Sequence, residues 1–286
     1  MTAPPSPFHR LHIHIAGPWP FITFRSYTLA GRHFIWRARD HRKGLERWAR
    51  GLEHLPVPLW QTRGYNWLTG LAFAIGALLF MAGALLSLVP PHALPVPSRD
   101  VGIIFFLGSL PFTFAAYLQL FQAANASVFS VKPQDAPHQR VMVIGWQPHS
   151  AGWLSTFAQF LGTLAFNLNT WNALHTANTW RAQDIWVWTP DMVGSLLFLI
   201  SGYLAYLEVS GGYWSWKPAE LSWQIVFVNL MGCIAFMTGA VLSFSPERPD
   251  ASWIGVVGNT HLFAGSLCFF VGALLTMREA RTAASA

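Results

Sequence analysis

The chain has 286 residues, of which 53% are hydrophobic and only 10% charged, with 15 Trp, 22 Phe and a formal net charge of +6. A soluble protein of this length carries more charge to stay dispersed, so the composition argues against a soluble domain. Two cysteines, Cys233 and Cys268, are too few to staple a secreted fold; both fall in apolar runs, where Cys acts as a small hydrophobe.

Residues 1–65 are polar, aromatic and basic, and read as one cytoplasmic segment ahead of a membrane domain at 66–286. His9, His12 and His14 could offer three imidazoles, but no nearby Cys or acid completes a metal set, so none is assigned. Alternation of His12 and His14 with Ile13 and Ile15 equally fits a short strand. Residues 21–36 mix β-branched and aromatic side chains around Ala30-Gly31 and predict a small β-hairpin. A basic amphipathic helix is expected from about Asp40 to Leu55. Leu45, Trp48, Leu52 and Leu55 form its apolar stripe, and Gly44 and Gly51 weaken it. Arg42, Lys43, Arg47 and Arg50, with Trp48 inserted, would lie on the surface of anionic lipid. A solvated basic flank is the plainer alternative.

Six apolar stretches follow, at about 66–89, 101–123, 151–173, 190–208, 221–244 and 254–277. Each is about 20 residues or longer, enough to cross the hydrocarbon core as a helix. Runs this continuous do not suit barrel strands. The expected class is therefore an all-α integral membrane protein with six transmembrane helices. An even number of spans puts 15 of the 18 Lys and Arg on the side of both termini. The positive-inside rule makes that side the cytoplasm. The long charged N-terminal segment does not read as a cleavable signal peptide.

The stretches repeat. Gly-Ser-Leu-x-Phe occurs at Gly108, Ser109 and Phe112, at Gly194, Ser195 and Phe198, and at Gly265, Ser266 and Phe269. On the odd-numbered stretches, Trp67, Gly76 and Phe80 share their spacing with Trp153, Gly162 and Phe166, and with Trp223, Gly232 and Phe236. Three helical hairpins are therefore expected, at about 66–123, 151–208 and 221–277. Burial does not draw helices together in lipid, but close approach at small residues does. The ring of each Phe is expected over bare backbone on its partner helix; glycines lining a pore are the functional alternative. Thr189-Pro190-Asp191 reads as a helix start, with a cap, Pro at the first helical position and an acid at the positive end of the dipole.

Polar groups inside such spans are costly and mark candidate sites. Gln159 and Asn229 occupy equivalent repeat positions, and Asn169 lies on the same face of its helix, so the three could meet on an axis. Inter-helix hydrogen bonds that set register are the alternative. His261, near the start of the last helix, is a possible ligand contact or proton relay. Glu208, with its counterparts Gln122 and Glu279, falls at the hairpin ends, where a solvated acid is expected. No phosphate loop, His-Glu-x-x-His, Cys-x-x-Cys or Gly-x-Ser-x-Gly pattern occurs, so no catalytic residue or cofactor is assigned.

The first hairpin, from GYNWLTGLAFAIGALLFMAGALLSLV to FFLGSLPFTFAAYLQLFQAANA, resembles the YrhK-like domain of bacterial membrane proteins, with Phe105 to Ser109 as the Phe-x-x-Gly-Ser mark. The resemblance covers about 60 residues and extends more weakly to the other hairpins. It implies a bacterial inner membrane and no activity. Two functions are expected from the whole, the first preferred because intramembrane charge is nearly absent and the repeated features are packing features. The first is a non-catalytic scaffold or assembly subunit, docking on anionic lipid or another membrane protein, with no nucleic-acid partner. The second is a channel or transporter for a small solute along an amide-lined path. A polar axial cavity touching the amides separates the second from the first.

Overall fold

The computed structural model describes residues 12–282 except 30, 48–55, 91, 94, 128, 132–139, 176–178 and 245–251. Three antiparallel strands come first, β1 (Ile13–Ala16), β2 (Phe24–Leu29) and β3 (Arg32–Arg37), in that order across the sheet. β2 and β3 form the expected hairpin, since Leu29 pairs with Arg32 and Phe24 with Arg37. Gly31 sits in the reversal at a φ of 76°, a conformation open to glycine. The Ile13–Ile15 alternation adds a third strand. Tyr27 and Trp36 bury edge-on against Phe129, beyond the end of the third helix, which ties the sheet to one end of the bundle.

The helix after the sheet is shorter than expected. α1 spans Ala38–Lys43 and stops at Gly44, which adopts a left-handed φ of 74°. A Cβ at Gly44 would lie 2.8 Å from the side chain of Gln61, so both conformation and space require glycine. Trp48 and Arg50, expected on the continuation of this helix, lie outside the described residues.

The rest is mostly helical: α2 (Arg63–Leu88), α3 (Ser98–Ala124), α4 (Ala151–Ala173), α5 (Trp180–Gln183), α6 (Thr189–Ser210), α7 (Leu221–Leu242) and α8 (Ser252–Thr282). Thr62 and Ser150 cap α2 and α4 by accepting the amides of Tyr65 and Trp153, each at 3.2 Å. Five helices are long and apolar enough to cross a membrane: α2, α3, α7, α8 and the continuous stretch Trp180–Ser210. α4 is not among them, because Gln159, Asn167, Asn169 and Asn172 interrupt its apolar run. The reading of Thr189-Pro190-Asp191 as a helix start is corrected. A π-helical turn at Asp184–Trp188 joins α5 to α6, and Trp188 already has helical φ and ψ. Asp191 therefore sits well inside a continuous helix.

Each of the six long helices packs on the next in chain order, and α8 packs on α2, so they close a ring. Within each hairpin the glycines and phenylalanines interlock. A Cβ at Gly76 would lie 2.8 Å from the Phe112 ring; at Gly162, 2.6 Å from the Phe198 ring; at Gly232, 3.2 Å from the Phe269 ring. In return Gly108, Gly194 and Gly265 face Phe80, Phe166 and Phe236. The six rings meet at the centre, and Ser109, Ser195 and Ser266 are buried beside them. Leu78, Leu110, Leu164, Leu196, Ile234 and Leu267 face outward. Apolar exterior around small and polar interior groups is the arrangement expected of helices in lipid.

The interlock makes a first prediction. Gly162→Ala forces a methyl against both the Phe198 ring and the Gly194 carbonyl, 3.1 Å away. It is expected to cost about 1–3 kcal/mol in thermal unfolding of the detergent-purified chain, as overpacking does. Gly255→Ala is the control. Nothing lies within 4 Å of its added Cβ, so stability should hold or rise slightly.

Candidate functional site

α1 lies across the end of the ring at which α2, α4 and α7 begin and α3, α6 and α8 end. Arg39, Arg42 and Lys43 stand at i, i+3 and i+4, so they share one helix face. That face meets two buried acids. Arg39 donates two hydrogen bonds to Glu279, at 2.6 and 3.0 Å, and Lys43 donates a third to the same carboxylate. Arg42 donates two to Glu208, at 2.7 and 2.9 Å. Ser222 also donates to Glu279, at 2.9 Å. The open carbonyls at the C-terminal end of α1 are capped from outside it: Gln61 donates to the His41 carbonyl and Asn66 to that of Lys43, each at 3.0 Å.

The sequence reading is corrected here. Arg42 and Lys43 do not lie on a lipid surface; their side chains are 12% and 9% exposed, in ion pairs. Glu208 is not a solvated interfacial acid; it and Glu279 are each 5% exposed. Arg47 donates to Gln61 and to the Pro56 carbonyl. Burial and the adjacent Arg39 hold the Lys43 ammonium down at a pKa of about 8.

Corresponding positions after the Gly-Ser pairs build this end of the ring. Gln122, Glu208 and Glu279 each lie fourteen residues after the Gly of a Gly-Ser pair. The residue before each repeat Trp approaches them: Asn66 accepts from Gln122 at 3.0 Å, Ser222 donates to Glu279, and a Cβ at Gly152 would strike both Arg42 and Glu208. Where the position is acidic, α1 brings cations. Where it is Gln122, the carbonyl of Trp60 and the side chain of Asn66 accept from it.

Beneath α1 is a cavity of about 100 Å³, lined by its three cations, by Gln119, Gln159 and Asn229, and by Phe198 and Phe269 at its floor. It is roomy and polar enough for several waters. The floor is the aromatic layer. Phe112, Phe198 and Phe269 form a triangle with centroids 5.5–6.0 Å apart. Phe80, Phe166 and Phe236 form a second tier, meeting the first edge-on at 6.0, 4.9 and 5.1 Å. Beyond that tier is a second cavity, of about 240 Å³, lined by Phe80, Phe166, Phe236, Asn169, Asp191, Ser195 and Asn259.

Two of the three expected axial amides therefore meet. Gln159 and Asn229 line one cavity, while Asn169 lines the other and donates to the Val187 carbonyl at 2.9 Å. The aromatic layer stands between them. His261 bonds back to the Val257 carbonyl of its own helix and lines neither cavity. Trp153 and Trp223 are buried, their indoles donating to the carbonyls of Ile144 and Ser215; Trp67 finds no such partner.

Two signals were missed in the sequence. The three cations at one-turn spacing anticipate a face that needs acids. Trp60, Trp146 and Trp216 each stand seven residues before a repeat Trp, and the latter two pack edge-on against Trp153 and Trp223. Among the described residues no group of three His, Cys, Asp or Glu could hold a metal ion. No family model, curated protein or solved structure matches the chain.

Proposed function

We propose that this chain is a six-span protein of a bacterial inner membrane, built from three copies of one hairpin, that carries a gated path for a small polar solute. The observation that carries the reading is the polar cavity on the ring axis, with Gln159 and Asn229 on its wall and charged α1 over its mouth. A purely structural ring gains nothing from polar volume at its centre, where unpaired polar groups are costly. The interlocked glycines, the three mouth pairs and the three Trp pairs support the triplication. The cationic face of α1 and the basic N-terminal segment support a cytoplasmic mouth. The two Phe tiers and α1 hold the path shut in series.

The scaffold reading has one observation in its favour: only about 10 Å³ of space remains between the Phe tiers. Flux decides between the readings. Liposomes carrying the purified chain are expected to take up urea, glycerol or choline faster than protein-free liposomes. Gln159→Leu combined with Asn229→Leu should abolish the excess. No excess, from the wild type or from a Glu279→Gln chain with a loosened cap, would leave the scaffold reading.

A further inference from the structure

We infer that the cavity on the far side of the aromatic layer is a binding site for a small organic cation. Its volume, about 240 Å³, suits a group of a few heavy atoms. Its wall is aromatic: the rings of Phe80, Phe166 and Phe236 form one end. Among them sits a single carboxylate, Asp191. No Lys or Arg lines the cavity among the described residues, and the one side-chain hydrogen bond given to Asp191 comes from Ser243, at 3.2 Å. The helix-start explanation of this acid fails, because the helix runs on continuously from Trp180. An acid inside a helical bundle without a countercharge asks for one.

A second observation points to a guest. The Ser195 hydroxyl lines the same cavity, is 1% exposed and has no hydrogen-bond partner. Its equivalents, Ser109 and Ser266, bond back to their own helices at 2.7 Å. A buried hydroxyl left unpaired is costly unless something else accepts or donates there. Aromatic rings, one carboxylate and a free hydroxyl together recognise an alkylammonium carrying a hydroxyl or similar polar arm. The rings attract the cation by their quadrupoles, and the acid neutralises it. The inference stands apart from the solute path, because binding here needs no flux.

Choline and its uncharged isostere 3,3-dimethyl-1-butanol are the probes, added to the detergent-purified full chain, with sodium chloride as the ionic control. Choline is expected to raise the unfolding midpoint saturably, as any ligand of the native state does. The isostere and sodium should not. Asp191→Asn should weaken choline at least about tenfold, the loss expected when the one charge that neutralises the cation is removed. Leu196→Ala, on the outward face of the same helix, should leave it unchanged. Equal shifts from choline and the isostere on the wild type would overturn the inference, and that comparison holds even if Asp191→Asn fails to fold. A shift unchanged in Asp191→Asn would also overturn it. So would a choline shift that appears only on the substitution Arg248→Ala, at a position outside the described residues, since the chain would then supply its own cation.

Discussion

Glu279→Ala is expected to destabilise the protein by about 3–5 kcal/mol, because it leaves Arg39 and Lys43 buried without their anion. Replacing all three by apolar residues of similar size, Arg39→Met, Lys43→Met and Glu279→Leu, should recover most of that loss. The pair contributes little net energy over an apolar contact, while half of a pair costs a great deal. Thermal unfolding of the single and triple variants in one detergent checks the order. If the single change is as mild as the triple, α1 is not held by ion pairs. Release of the cap should also show as faster proteolysis at Arg39, Arg42 and Lys43, sites now covered. pH acts on the same contact. The folded protein holds Lys43 at a pKa of about 8, below its ordinary 10.5. Between those values the unfolded chain binds the extra proton, so stability from this group rises with pH through that window, and its cost is complete below pH 8. The wild type should therefore gain on Lys43→Met as pH climbs from 8 towards 10. A difference that stays flat across that range rules out a lowered pKa at Lys43.

The hairpins were legible because their signals are local. Gly76 and Phe80 are four residues apart, and a helix puts such neighbours on one face whatever surrounds them. The same local logic misplaced other groups. Gln159 and Asn169 share a face but are ten residues apart, which at 1.5 Å per residue separates them by about 15 Å along the axis. The two-tiered aromatic layer fits within that distance, and the amides end in different cavities. Arg39 and Glu279 are 240 positions apart, and nothing in either neighbourhood names the other. What the sequence did hold was the acid's repeat position, shared with Glu208 and Gln122. Closure of the ring by α2 against α8 turns that position inward, so an apparent surface acid becomes a buried one. Asp191 misled for the opposite reason. Thr-Pro-Asp is a sound start signal, but a π-helical turn upstream carries the helix through it.

Phe198 is the substitution expected to change function most. Its ring is 1% exposed and touches Phe112, Phe166, Phe236 and Phe269, rings of both tiers. Water has little to hold it in this layer. The hydroxyls that line the gap between the tiers, on Ser109 and Thr163, are spent on the carbonyls of Phe106 and Phe160 at 2.7 Å each. A buried water needs two to four polar partners, so the layer stays dry and blocks polar solutes as a hydrophobic constriction does. Phe198→Ala removes the ring and joins the small gap between tiers to the cavity above it. Its cost in stability is expected to be about 3–5 kcal/mol, the usual range for a buried aromatic. Flux separates a gate from a mere packing element. Liposome uptake of urea should rise in the order wild type, Phe198→Leu, Phe198→Ala, Phe198→Ser. The serine and alanine variants lose similar volume, but serine adds a hydroxyl that can hold water. Variants that destabilise in that order without any rise in flux would make the layer a core and remove the path from the proposed function.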